Sequence, residues 1–240
     1  MSYKIFVQKE NTGMEFGILV LPKGKRYKLL DQQREITVVL LSGKGIFRSI
    51  GTISKVKRND VFKQEPFIMS APKDCLAEVI AQSKMELAVI KVKNPQNFKP
   101  RIFKSKEVKR EWRGKGVMNE TALRLVRTVF DKNNHPKSNL VLGEVLHKPG
   151  RWSSYPPHYH SQPEIYYYRF WPNNGYGLAQ LGERVIKVKN NDLVEIVNSV
   201  NHPQVAAPGY QMWYLWVIRH LPKNPYQGFI YDKKHKWLTK

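Results

Sequence analysis

The same succession of turns and strand starts occurs twice in this 240-residue chain, and that restricts the fold more than any single motif does. Leu21-Pro22-Lys23-Gly24-Lys25-Arg26-Tyr27, followed by Glu35-Ile36-Thr37-Val38-Val39-Leu40, is echoed by Lys148-Pro149-Gly150-Arg151-Trp152 and Glu164-Ile165-Tyr166-Tyr167-Tyr168. Further along, Arg58-Asn59-Asp60-Val61-Phe62 is echoed by Asn190-Asn191-Asp192-Leu193-Val194. Each half thus runs through a Pro-Gly turn, an acidic strand start, a glycine turn and an Asn-Asp turn into a strand. A repeat unit of roughly a hundred residues means duplicated domains rather than a solenoid.

Strand signals dominate both halves. Phe16 to Leu21, Glu35 to Leu41 and Glu86 to Val92 are apolar or alternating runs rich in β-branched residues. Leu140 to Leu146, Glu164 to Trp171, Tyr176 to Leu181, Leu193 to Val197 and Met212 to Arg219 continue the pattern. Ser42-Gly43-Lys44-Gly45 and Pro172-Asn173-Asn174-Gly175 read as turns between them. The spacing of Ala122, Leu125, Val126 and Val129 predicts one helix over Glu120 to Phe130. The expected division is an amino-terminal domain over 1–95, a basic connection with that helix over 96–137, and a carboxy-terminal domain over 138–240. The fold class is mainly all-β.

Composition narrows the setting. One cysteine, Cys75, excludes an intrachain disulfide framework and a cysteine-based zinc finger, and favours a reducing, cytoplasmic location. Met1-Ser2-Tyr3-Lys4-Ile5-Phe6 lacks the apolar run of a secretory leader. No segment approaches ~18 unbroken apolar residues, so no membrane partner is expected. The formal net charge is +22, from 41 Lys and Arg against 19 Asp and Glu. These charges are scattered in small groups without a helix-turn-helix, zinc-finger or RNA-binding signature. They read as a solvated surface rather than a nucleic-acid site.

The chemistry concentrates in Pro156-Pro157-His158-Tyr159-His160-Ser161-Gln162-Pro163-Glu164. Histidines at i and i+2 share one face of an extended strand. Glu164 follows a short Ser-Gln-Pro break, and His202 waits in Asn201-His202-Pro203-Gln204-Val205. Three imidazoles and one carboxylate suit a first-row divalent metal, Zn, Mn, Fe or Ni, with room left for a substrate. No histidine precedes His135, so Glu35 alone of this pattern is present in the first half. His135, His147, His220 and His235 read as ordinary hydrogen-bonded or solvent-facing side chains.

Gly150, His158, His160, Glu164, Gly175, Asp192 and His202 follow the order of the cupin pattern. More narrowly, Arg151-Trp152-Ser153-Ser154-Tyr155-Pro156-Pro157-His158, Glu164-Ile165-Tyr166-Tyr167-Tyr168-Arg169-Phe170 and His202-Pro203-Gln204-Val205-Ala206-Ala207-Pro208-Gly209-Tyr210 resemble the 5-deoxy-glucuronate isomerase family of bacterial inositol breakdown. The resemblance covers nearly the whole chain. It implies two tandem cupin barrels, of the jelly-roll or double-stranded β-helix type, and a metal-dependent aldose–ketose isomerisation of 5-deoxy-D-glucuronate to 5-dehydro-2-deoxy-D-gluconate. Asn198-Ser199 stands where many cupins place Pro-Gly; Asn tolerates the left-handed conformation, so the turn is expected to survive.

Such a reaction moves a proton between neighbouring carbons, and a metal gripping both oxygens would stabilise the enediolate. His158, His160, Glu164 and His202 are the expected ligands. Strand alternation puts Tyr166 and Tyr168 on the face of Glu164, where either phenol can hydrogen-bond or shuttle a proton, and turns Arg169 away. Tyr155 and Gln204 are candidate substrate contacts. Arg151 and Arg219 are alternatives for gripping the substrate carboxylate. The expected partners are a small sugar acid and a second copy of the chain. Rival readings are another uronate isomerase, as in pectin breakdown, a cupin dioxygenase, and a non-catalytic sugar-acid binding protein.

Overall fold

The computed structural model describes residues 1–8 and 10–239. The chain divides into two compact units, one formed by Met1–Val108 with Val129–Leu140, the other by Lys109–Thr128 with Val141–Lys240. Among the described residues, no helix is long and apolar enough to cross a membrane.

The first unit is built from β1 (Ser2–Gln8), β2 (Met14–Leu21), β3 (Arg26–Leu29), β4 (Arg34–Ser49), β5 (Thr52–Arg58), β6 (Ile68–Ala71), β7 (Ala77–Ala81), β8 (Met85–Lys93) and β9 (Arg101–Phe103). One path of antiparallel neighbours runs β1-β2-β8-β4-β6-β9, and β4 also pairs β5 and β7, with β3 beside β7. The 16-residue β4 therefore serves two layers. Its first part pairs β8 and β6, its second part β5 and β7. Ile36, Val38 and Leu40 from the first part and Phe47 from the second face one buried core with Leu87 and Val79.

Ser42-Gly43-Lys44-Gly45, expected as a turn, is instead the bend inside β4. The register slips between Leu40 and Ser42, and Gly43 takes φ +110°. A Cβ on Gly43 would lie 2.4 Å from the Lys84 carbonyl oxygen, and one on Gly45 2.4 Å from that of Ile80. The glycines let neighbouring backbones approach closely while the strand changes layer; they do not reverse the chain. Glu35 is fully buried and accepts hydrogen bonds from Ser138 Oγ at 2.8 Å, Asn139 N at 3.0 Å and Asn94 Nδ2. It staples residues 138–139 and Asn94 to the start of β4.

The second unit holds β10 (Lys109–Arg113), β11 (Arg124–Phe130), β12 (Leu140–His147), β13 (Trp152–Ser153), β14 (His158–Tyr159), β15 (Glu164–Trp171), β16 (Tyr176–Leu181), β17 (Arg184–Lys189), β18 (Leu193–Ile196), β19 (Gln204–Ala206), β20 (Gln211–Arg219) and β21 (Ile230–Tyr231). Two sheets carry it, β10-β11-β12-β20-β15-β18 and β13-β19-β16-β17, with β14 paired to β21. Alternation on β15 and β20 sends Tyr166, Tyr168, Phe170, Met212 and Tyr214 into one core with Ala179 and Ala206 of the smaller sheet. Tyr166 stands opposite Trp216 and Tyr168 opposite Tyr214.

The helix expected over Glu120 to Phe130 does not form. Met118–Glu120 make a single 3-10 turn, and Arg124–Phe130 is strand β11, paired from Arg113↔Arg124 to Lys109↔Thr128 with β10. Val126, Thr128 and Val129 are β-branched and fit a pleated ladder better than a helix. The apolar positions that mimic a helical stripe are shared with buried Arg124 and Arg127, which no single apolar face would accommodate.

Candidate metal centre and its surroundings

Four neighbouring segments of the second unit carry the expected ligands. His158 lies on β14, His160 just after it, Glu164 opens β15 and His202 precedes β19. All four are buried, at 7%, 8%, 3% and 2% exposure. His160 Nε2 stands 3.1 Å from Glu164 Oε2 and His202 Nε2 3.6 Å from the same oxygen. The ligand atoms of His160, Glu164 and His202 all lie within 4.8 Å of one another. His158 is adjacent but outside that trio: its ring centre is 5.2 Å from that of His202, and it stacks at 3.9 Å on Phe229.

Backbone contacts set the imidazole tautomers. His158 Nδ1 lies 2.9 Å from the Pro156 carbonyl and His202 Nδ1 3.0 Å from that of Val200. A carbonyl only accepts, so each Nδ1 carries the hydrogen and each Nε2 keeps its lone pair. Burial, with His202 nearby, lowers the His158 pKa to about 3. Burial also lowers that of His202, against the pull of Glu164. Both are therefore neutral donors at neutral pH. The turn before His202 survives without glycine, Asn198 and Ser199 taking φ of +62° and +53°.

Among the described residues Glu164 pairs with no Lys or Arg; its partners are the imidazoles of His160 and His202. One carboxyl group gathered with the imidazoles of His160 and His202 is a donor set that fits a divalent cation.

The walls are aromatic and hydroxylic. Tyr166 Oη pairs with Ser154 Oγ at 3.1 Å, and its ring centre is 6.0 Å from that of His202. Tyr168 Oη donates to Gln204 Oε1, whose amide Nε2 is buried without a partner. Tyr214 Oη and Ser153 Oγ are 2.5 Å apart. Burial raises the pKa of both Tyr166 and Tyr168 well above the usual phenol value, so both stay protonated. Tyr155 is half-buried, its ring 5.4 Å from that of Trp152. Arg151 is half-buried in the preceding turn, where its carbonyl meets His147 Nδ1 at 3.2 Å. Arg219 alternates with Ile218 at the end of β20, on the face of Trp213 and Val217 rather than that of Tyr214. Arg169 turns away from Glu164 and packs on Tyr167, donating to its hydroxyl at 2.9 Å.

Sequence reasoning did not find the carboxy-terminal cover. β21 pairs His158↔Tyr231 and Tyr159↔Ile230, laying Phe229 on His158, while Tyr226 meets the edge of His160 with ring centres 5.0 Å apart. Asn224 holds the Gln162 amide at 2.9 Å, and Asp232 N donates to the Pro157 carbonyl at 2.9 Å. The aromatic run Tyr226, Phe229, Tyr231 was the signal available, but it lacks strand periodicity. Of the other histidines, His135, His147 and His220 are buried and hydrogen-bonded.

A double-layered β barrel with inward histidines and a glutamate defines the class of the molecule: it is a cupin fold. A cupin 2 conserved barrel domain protein from Leptotrichia buccalis superposes with a TM-score of 0.55 at 13% identity, over 91% of this chain and 88% of that one. More particularly, the model of the KduI/IolB family matches residues 2–238, and the chain belongs to that family. The 5-deoxy-glucuronate isomerase of Geobacillus kaustophilus (strain HTA426) is 30% identical over 253 residues, spanning 97% of this chain and 89% of the relative. The crystal structure of an IolB-like protein from Salmonella typhimurium LT2 superposes with a TM-score of 0.88 at 24% identity, over 98% of this chain and 94% of that one.

Proposed function

We propose that this chain is a metal-dependent aldose–ketose isomerase that converts 5-deoxy-D-glucuronate to 5-dehydro-2-deoxy-D-gluconate. The observation that carries the reading is the gathering of His160, Glu164 and His202 within 4.8 Å beside protonated Tyr166 and the unpartnered Gln204 amide. The name of the Geobacillus relative, which aligns along nearly the whole chain, supplies the substrate.

In the isomerisation the hydrogens on C2 and O2 leave and one hydrogen arrives on each of C1 and O1, directly or by exchange with solvent; no oxidant is consumed. His160, Glu164 and His202, with His158 adjacent, would hold a divalent cation, whose bound charge supplies Lewis-acid polarisation of the substrate carbonyl. Tyr166 Oη, kept protonated, donates a hydrogen bond to the substrate oxygen that gains negative charge. Glu164 would accept and return the proton moved between the two carbons. Tyr168 fixes the Gln204 amide through Oε1, leaving Nε2 for a substrate hydroxyl. Phe229 and Tyr226 cover His158 and His160 and exclude water.

The test is to measure bound metal in the purified protein and follow 5-deoxy-D-glucuronate by NMR in D₂O, with His202→Ala as control. The expected result is conversion to the 2-keto acid with deuterium at the former aldehyde carbon, and loss of both metal and turnover in the variant. Folded, metal-loaded protein that leaves the substrate unchanged, while acting on another deoxyuronate, refutes the assigned substrate; a product containing oxygen from O₂ refutes isomerisation.

A further inference from the structure

Arg124, the first residue of β11, is 6% exposed and, among the described residues, pairs with no carboxylate. Its Nη1 donates to the carbonyls of Ala122 at 2.8 Å and Tyr155 at 3.2 Å. Among the described residues, Nε and Nη2 meet no protein acceptor. The other buried guanidiniums have evident work. Arg127 pairs with Glu144, and Arg58 binds the carbonyls of Leu40 and Gln64 at 3.0 and 2.9 Å. A buried charge without a counter-ion costs several kcal/mol by desolvation, so an unpaired Arg124 is an expensive feature unless something anionic meets it.

Its position says where that anion would be. Residues 153–156 are a single lining strip: Ser153 meets Tyr214, Ser154 meets Tyr166, the Tyr155 carbonyl takes Arg124, and the Pro156 carbonyl takes His158. The guanidinium is anchored one peptide away from the anchor of His158. The titratable groups that feel it are Tyr214, Tyr231, Tyr166, His147 and His158, together with Arg113, and none of these is a carboxylate.

We propose that the Nε–Nη2 edge of Arg124 receives the carboxylate of the substrate, so that the sugar acid lies between this guanidinium and the His160–Glu164–His202 cluster. That edge is the two-pronged side of a guanidinium, matched to the two oxygens of a carboxylate. Elsewhere in the chain the same edge of Arg34 converges on one carboxylate oxygen, Asp31 Oδ2, with Nε at 2.7 Å and Nη2 at 2.6 Å. Nη1, spent on two carbonyls, sets the orientation of the fork before a ligand arrives. Arg124 thus takes the role that sequence divided between Arg151 and Arg219, and it is what makes the site one for an aldehyde acid rather than a neutral aldose.

The assignment rests on the sugar-acid reading but not on turnover, and two measurements separate them. D-glucuronate and D-glucose are titrated into metal-loaded wild type, Arg124→Gln and Arg124→Lys, with metal content and melting temperature recorded for each. Wild type is expected to bind D-glucuronate in preference to D-glucose. Arg124→Gln should lose roughly 30-fold or more in D-glucuronate affinity, the equivalent of about 2 kcal/mol for a truncated buried charge contact. Its metal content should be unchanged. Its melting temperature should not fall as it would for a purely structural arginine, because an unpaired buried charge is removed. Arg124→Lys keeps the charge without the fork, and is the folded variant if Gln disrupts the barrel; it should lose roughly tenfold. D-glucuronate binding that is equal in all three proteins, or absent from wild type, overturns the assignment. Arg124-dependent binding without conversion of 5-deoxy-D-glucuronate leaves it standing and refutes the isomerase. Conversion whose KM is unmoved in both variants does the reverse.

Discussion

Tyr168 and Gln204 form a buried polar pair whose removal by halves and as a whole should give opposite results. Tyr168 is fully buried and Gln204 is 1% exposed. The phenol donates to Gln204 Oε1, and Nε2 is already without a partner. Tyr168→Phe leaves both ends of the amide unsatisfied, and stranding a buried acceptor costs about 1–3 kcal/mol. Gln204→Leu strands the phenol hydrogen at a similar cost, but it also deletes the orphaned Nε2, so it should be the milder of the two. The double variant removes both partners, and replacing a buried pair by apolar groups of like shape is close to neutral. The cycle should therefore show a coupling equal to the sum of the two single losses, at least about 1–3 kcal/mol, read from urea unfolding of the four proteins. Turnover should not follow stability. If Nε2 exists for a substrate hydroxyl, the double variant regains its midpoint while kcat/KM stays down by roughly tenfold, the value of one such bond. Additive stabilities would show that the pair is not a unit. A stable double variant with wild-type turnover would refute the substrate role of Gln204.

Acid should destabilise the fold through its buried neutral histidines. Burial depresses His147 to about 3, with Nδ1 held by the Arg151 carbonyl, and depresses His135 to about 4. A folded pKa below the unfolded 6.5 means the unfolded chain binds more protons between the two values; stability is intact above about pH 6.5 and falls as pH drops toward 3. At pH 5 each such histidine should take away about 2 kcal/mol relative to pH 7. His147→Phe should flatten that loss by about this amount in urea titrations; an unchanged slope would mean that His147 is protonated in the fold. Gly43→Ala should lower stability by at least about 1–3 kcal/mol from its backbone conformation alone, since φ is +110°. The Cβ would also meet the Lys84 carbonyl at 2.4 Å; an unaltered melting temperature would refute the bend in β4.

What the sequence made readable is what short-range geometry controls. Period-two alternation alone placed Tyr166 and Tyr168 with Glu164 and turned Arg169 to the other face, and the register against β20 agrees. The strand runs were readable because β-branched residues cluster in them and turn residues end most of them. Where one residue type serves two purposes the reading failed. Glycines 43 and 45 mark a turn in most sequences, but here they admit a neighbouring backbone, a need set by β7 and by Lys84 and Met85 some forty residues away. Ala122, Leu125, Val126 and Val129 satisfy a helical period over one short segment, and nothing local reveals that β10 and β12 wait on either side.

Arg124 shows the deeper reason why part of the site stayed hidden. A histidine pair announces a metal by its spacing, because both ligands must reach one point from one strand. A carboxylate-binding arginine has no such constraint, since a single side chain does the gripping and its neighbours in sequence are irrelevant. Its signature is a deficit: a guanidinium taken out of water, oriented by carbonyls on one edge, and left without an anion on the other. That deficit exists only after β11 has been folded against residues 153–156. Among 41 basic residues, sequence offers no reason to prefer this one. Packing does, because leaving a charge both buried and unpaired is among the costliest arrangements a fold can keep. The Gln204 amide and the Glu164 carboxyl are deficits of the same kind, a donor without an acceptor and a buried acid whose partners are imidazoles. One ligand set relieves all three at once: a divalent cation at the imidazoles, a sugar hydroxyl at the amide and a carboxylate at the guanidinium.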